Sequence, residues 1–148
     1  AQLSRGLGDV YKRQGIPVMG HVGLMPQKIN LKGKFLSVGK NKIEEKKILN
    51  DAKSLSEAGV FSFVLEAMKS ELAKKITKNF DTISLGIGAG QNCDGQVLVI
   101  DDLLGLFGNF TPKFVKKYSD LKSIIDKSVK QFSKDVKDRK FPTKKYSY

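Results

Sequence analysis

The chain has 148 residues, the length of one domain with a single core. Its one cysteine, Cys93, excludes an internal disulfide and a cysteine-rich metal site. No run of about 18 apolar residues occurs, which excludes a membrane-spanning helix. The net charge of +12 points to an anionic partner, but arginine occurs only at Arg5, Arg13 and Arg139. Readers of bases and phosphates favour the planar, bidentate guanidinium, and the lysines here are scattered along helical segments. A solvated lysine surface is therefore expected, with neither nucleic acid nor membrane as partner.

Residues 1–14 carry Leu3, Leu7, Val10 and Tyr11 at helical spacing, interrupted by Gly6 and Gly8. A helix-interior glycine costs about 1 kcal/mol. The segment reads as a foreign or artefactual leader, the alternative being a divergent helix. The domain proper is expected over residues 15–136, with a basic, loosely ordered tail over 137–148.

Gly15 to Gln27 is an apolar run ending in Gly20-His21-Val22-Gly23 and a Pro26-Gln27 turn, as expected of a buried strand that stops at a polar loop. Pro26 to Lys40 has no sustained period and reads as a loop. Asn41 caps a helix whose apolar face is Ile43, Ile48, Ala52, Leu55 and Ala58, with Gly59 as the stop. Val60 to Leu65 is nearly continuous apolar sequence, a strand covered on both faces, and it ends at Glu66. Ser70 opens a helix with Leu72, Ala73 and Ile76. A third strand runs from Ile83 into Gly86-Ile87-Gly88-Ala89-Gly90, and a fourth is expected over Val97 to Ile100.

Beyond it, Leu103 to Phe110 is a short turn or helix, and Lys113 to Tyr118 another short helix. Ser119 caps a long helix with Leu121, Ile124, Ile125, Val129, Phe132 and Val136 at spacings of three and four. This alternation is α/β, and right-handed crossovers make its sheet parallel.

Five groups of residues invite chemistry. The Gly86–Gly90 cluster lacks a helix-opening third glycine and an acid about 20 residues on, so a sharp turn or a close approach explains it better than a nucleotide loop. Glu66 ends a buried strand, where partial desolvation makes a carboxylate a better base near neutral pH. An ordinary surface acid pairing with Lys69 or a helix N-terminus fits the same position. His21 also ends a strand, and a hydrogen-bonded structural role competes with a functional one. Cys93 has no histidine near it in sequence. Asp101 and Asp102 would point to opposite faces of a strand, so a solvated strand end or helix cap suits them better than a metal site.

Taken together, these blocks resemble ketopantoate hydroxymethyltransferase. The resemblance runs from Gly15 to about Tyr148. It rests on Gly20-His21-Val22-Gly23-Leu24 with Pro26-Gln27, Asp51-Ala52 with Glu57-Ala58-Gly59, and Val64-Leu65-Glu66. Glu71-Leu72-Ala73-Lys74, Gly86-Ile87-Gly88-Ala89-Gly90 and Cys93-Asp94-Gly95-Gln96-Val97-Leu98 extend it, with Leu104-Gly105-Leu106-Phe107 and Pro112-Lys113-Phe114 closing it. Lys34, Met25, Lys69 and Tyr146 depart from the family pattern.

The resemblance implies a (βα)8 TIM barrel, of which this chain would be the C-terminal half, strands five to eight with the C-terminal helices. It implies a magnesium-dependent (Mg2+) transfer of a hydroxymethyl group from 5,10-methylenetetrahydrofolate to 3-methyl-2-oxobutanoate, giving 2-dehydropantoate on the route to pantothenate. Glu66 matches the family's general base, and His21 a histidine lining the substrate site. The metal ligands and the substrate-binding lysine and serine belong to the N-terminal half, so this chain alone is expected to be inactive. A decameric homo-oligomer is implied, located in the cytoplasm, or in the mitochondrion of a eukaryote. The competing expectation is a basic α/β binding or structural protein without catalysis.

Overall fold

The computed structural model describes residues 14–25, 37–106 and 111–148. The chain divides into two compact units, Ala1–Val97 and Leu98–Tyr148. Nearly all of the leader expected over residues 1–14 lies outside the described residues. So do most of the 26–40 loop and the end of the Leu103–Phe110 segment.

In the first unit, β1 (Met19–Gly23), β2 (Ser62–Glu66), β3 (Ile83–Ile87) and β4 (Gly95–Gln96) form one four-stranded sheet in sequence order. Every pairing is parallel. The connections include α1 (Lys42–Glu57) and α2 (Ser70–Asn79). Asn41 caps α1 as expected, its side-chain oxygen accepting from the Glu44 N–H at 2.9 Å. Glu44 reaches back to the Lys40 N–H at 3.0 Å, so one short stretch satisfies two backbone donors. Of the face expected to be apolar, Ile48 and Ala52 are buried, whereas Ile43 is 83% exposed.

Alternation along the strands divides the sheet into two faces. Val22, Phe63 and Leu65 point to one side and form a single core cluster with Ile48, Ala52, Leu72, Ala73 and Ile76. Phe63 is fully buried and meets the Phe80 ring edge-on, with centroids 6.3 Å apart. Burying side chains of this size contributes about 1.5–3 kcal/mol each. Ser84 lies on the same face, paired in register with Phe63, and is fully buried. Its hydroxyl donates to Asp94 Oδ2 at 2.9 Å and sits 2.8 Å from Thr77 Oγ1, which removes the penalty of burying it.

The opposite face carries Met19, His21, Val64, Glu66, Leu85 and Ile87. It is open at its lower edge, where Met19 is 43% and Ile83 54% exposed.

The fourth strand differs from expectation. It pairs only through Gly95 and Gln96, and Val97 adds one bond to the Gly86 carbonyl at 2.9 Å. Ile100 already belongs to a helix, α3 (Ile100–Leu104), with Asp101 and Asp102 in its first turn. Acids there complement the exposed N–H groups of a helix start, and four apolar residues carry too little pattern to separate strand from helix. The two aspartates therefore sit on no strand at all.

In the second unit Lys113 to Tyr118 forms turns and bends, not a helix. The long helix α4 (Leu121–Lys137) is capped by Asp120, not Ser119, through the Ser123 N–H and hydroxyl. None of its residues is buried: Ile124, Ile125, Val129, Phe132 and Val136 are 45–60% exposed. The tail, expected to be loose, makes a 3-10 turn at Lys144–Tyr146 and sets Phe141 against Phe132, with centroids 5.5 Å apart.

Candidate active site

His21 and Glu66 meet on the open face of the sheet. His21 lies opposite Val64 in the parallel register, so Glu66 is one pleat further along the same face of the neighbouring strand. His21 Nε2 stands 3.0 Å from Glu66 Oε2. A carboxylate can only accept, so the imidazole donates through its Nε2–H. The Glu66 side chain is 13% exposed and that of His21 32%. Glu66 is the last residue of β2, whereas His21, expected at a strand end, is the third of the five residues of β1. The pair is thus partly exposed near the C-terminal end of β2, the end at which α/β barrels place their chemistry.

The pairing of Glu66 with Lys69, one of the competing expectations, is not formed. Lys69 Nζ donates instead to the Lys40 carbonyl at 3.2 Å.

The backbone around Glu66 is pinned on both sides. Its carbonyl accepts from the Leu24 N–H at 3.0 Å, and the next N–H, of Ala67, donates to the Ile87 carbonyl at 2.8 Å. Gly23, at φ +110, allows the first approach, because a Cβ there would overlap the Glu66 carbonyl oxygen. Ala67 is left-handed at φ 48 and buried. A non-glycine residue in that region is strained and is held by its surroundings. Nothing in the sequence marks Ala67, since alanine is not a residue that favours this conformation.

The other groups singled out by sequence gather elsewhere. Gly90, at φ +85, lets the chain pass against Ser70 at the start of α2, where a Cβ would overlap the Ser70 hydroxyl. This close approach is structural. Cys93 is partly buried, and that burial pushes its thiol up, with the Asp94 charge adding and hydrogen bonds to Thr77 and Ser84 opposing. A thiol so placed is a poor nucleophile. The backbone N–H and hydroxyl of Ser84 hold the Asp94 carboxyl below the usual carboxylate range.

Among the described residues no group of three or more His, Cys, Asp or Glu could hold a metal ion. No helix among them is long and apolar enough to cross a membrane. A groove between α1 and α2 is lined by Lys40, Lys42, Lys69, Lys75 and Lys78 with Glu45 and Glu71. Glu45 pairs with Lys75 at 3.1 Å.

Comparison with known proteins shows the family. The family model described as ketopantoate hydroxymethyltransferase matches residues 9–144. A 3-methyl-2-oxobutanoate hydroxymethyltransferase of Carboxydothermus hydrogenoformans is 48% identical over 134 residues, 90% of this chain and 49% of the relative. Its namesake in Clostridium kluyveri is 50% identical over 133 residues, 90% of this chain and 48% of the relative. The Clostridium botulinum protein of that name is 47% identical over 148 residues, 100% of this chain and 54% of the relative. The chain spans about half the length of the curated relatives it matches. With nine-tenths of its residues aligned at such identity, it belongs to the ketopantoate hydroxymethyltransferase family.

Proposed function

We propose that this chain is the C-terminal half of a (βα)8 barrel enzyme that transfers a hydroxymethyl group from 5,10-methylenetetrahydrofolate to 3-methyl-2-oxobutanoate. Glu66 is its general base, and His21 lines the substrate site beside it. The observation that carries the reading is the Glu66 carboxylate at the C-terminal end of β2, largely shielded yet open on one side. Glu66 takes the proton from C3 of the keto acid, and the electron pair left behind forms the enolate. C3 then bonds to the methylene carbon of the folate as one of that carbon's two C–N bonds breaks. Water replaces the second nitrogen as the hydroxyl oxygen, and the two nitrogens leave as tetrahydrofolate carrying the proton taken from C3 and one from the water. A base at this position suits the first step because proton abstraction beside a carbonyl needs a fixed acceptor within hydrogen-bond reach.

The magnesium ion implied by the resemblance finds no set of holders among the described residues. Its ligands belong, by the same resemblance, to the N-terminal half. The chain alone is accordingly proposed to lack turnover, and the full-length enzyme to be a homo-oligomer. The alternative of a non-catalytic basic protein finds no support in the lysine groove, which lies between the two helices and not on the face of the pair.

The test is Glu66→Gln in a full-length protein with this chain as its C-terminal half. The substitution keeps the shape and removes the base. Formation of 2-dehydropantoate should fall about 10²- to 10⁴-fold, with keto-acid binding nearly unchanged. Turnover close to that of the parent protein would refute the assignment.

A further inference from the structure

We infer that His21 is a positioning residue for Glu66. It holds one carboxylate oxygen so that the other is presented to the open sheet face, and it acts on turnover through Glu66. This rests on the reading of Glu66 as the base.

The backbone of Glu66 is fixed by its neighbours on both sides, through the Leu24 N–H and the Ala67 N–H. Those bonds end at the main chain. A glutamate carboxylate lies three rotatable bonds further out, and nothing in the strand register restrains it. Among the described residues the side chain that hydrogen-bonds it is His21, at 3.0 Å on Oε2. The contact joins residues 45 apart in sequence, so it exists only when β1 and β2 are paired. Register places the imidazole one pleat step below Glu66 on the same face, from where it approaches one oxygen from beneath. Among the described residues no hydrogen bond engages the second oxygen, the one assigned by this inference to the reacting C–H.

A group placed within a fraction of an ångström of its target is what proton abstraction requires, and a displacement of about 1 Å can cost 10²-fold in rate. A histidine that merely lined the site would bind substrate, and its loss would raise KM. A histidine that aims the base lowers kcat. The two roles therefore separate in the kinetics.

The experiment uses the full-length protein and two readouts. One is kcat and KM for 2-dehydropantoate formation. The other is exchange of the C3 hydrogen of 3-methyl-2-oxobutanoate for deuterium in D2O without folate, followed by NMR, which reads the proton-abstraction step alone. His21→Ala should lower kcat and the exchange rate by about 10- to 10²-fold, with KM changed less than about 3-fold. His21→Gln keeps an N–H donor of similar reach and should recover most of the loss, which also guards against misfolding in the alanine variant. In the double variant His21→Ala/Glu66→Gln, exchange should be no slower than in Glu66→Gln alone, since a residue acting through Glu66 has nothing left to aim.

Unchanged kcat in His21→Ala, a rise confined to KM, or multiplicative losses in the double variant would each overturn the inference while leaving the base in place. Near-normal exchange in Glu66→Gln would overturn the base and the positioning role together.

Discussion

Helices α2 and α4 were read from the same signal, and they end in opposite situations. Both carry apolar residues at spacings of three and four. In α2, within the first unit, Leu72, Ala73 and Ile76 are 0–4% exposed against the sheet. In α4, within the second unit, Ile124, Val129 and Phe132 are 57–60% exposed, and no residue of the helix is buried. Periodicity determines that a helix forms and which side of it is apolar. It carries no information about what covers that side. The first unit is accordingly built around a core, whereas the contacts of α4 include its Asp120 cap, the exposed Lys122–Asp126 pair at 2.7 Å and the Phe132–Phe141 ring contact.

That contrast can be tested by truncating one phenylalanine in each unit. Phe63→Ala removes a fully buried ring from between strand and helices and should cost about 3–5 kcal/mol, read by urea unfolding. Phe132 is 57% exposed, and Phe132→Ala should cost less than about 1 kcal/mol. Equal losses would show that α4 is covered in solution.

A glycine substitution probes the site end of the first unit. Gly23→Ala puts a Cβ against the Glu66 carbonyl at a left-handed φ, so strain and displacement coincide. A loss of about 1–3 kcal/mol is expected, read as a lower urea midpoint. In the full-length protein the C3–H exchange rate should fall as well. An unchanged midpoint would mean the close approach of β1 to Glu66 is not kept in solution.

Helix caps act locally and should be indifferent to the presence of a core. Asn41→Ala should cost about 1 kcal/mol, and Asp120→Ala should shorten α4 visibly by circular dichroism. A cap effect confined to α1 would show that α4 is held by something other than its own backbone.

The smallest effect concerns acid. Hydrogen bonds from Ser84 hold the Asp94 carboxyl below its ordinary value. A depressed pKa stabilises the fold above the unfolded value of about 3.9, and this is lost as pH falls through the lower folded value. Asp94 is exposed, so solvent screens the effect and it should be modest. Asp94→Asn should lower Tm slightly at pH 6 and leave it nearly unchanged at pH 2. A variant with the same Tm as the parent protein at both pH values would remove Asp94 from the account.

Much of the first unit is legible in the residues alone. Three of its strands, its two helices, the Asn41 cap and the placement of Glu66 at a strand end all follow from periodicity and capping chemistry, which act over a few neighbouring residues. The segment Val97–Ile100 was not legible, because so short an apolar run carries no period and the tie was broken by Asp101 and Asp102 opening a helix. The family resemblance makes Glu66 and His21 candidate site residues but says nothing about their contact with each other. That contact depends on the parallel register of β1 and β2, set by two strands burying Val22, Phe63 and Leu65 against the same helices. The left-handed turn at Ala67 is decided in the same way, by a hydrogen bond to Ile87 on the next strand overriding alanine's own preference. What the sequence determined about this protein is therefore its local elements and its family. Only the tertiary structure could bring the His21 imidazole onto the Glu66 carboxylate, because that contact requires partners distant along the chain.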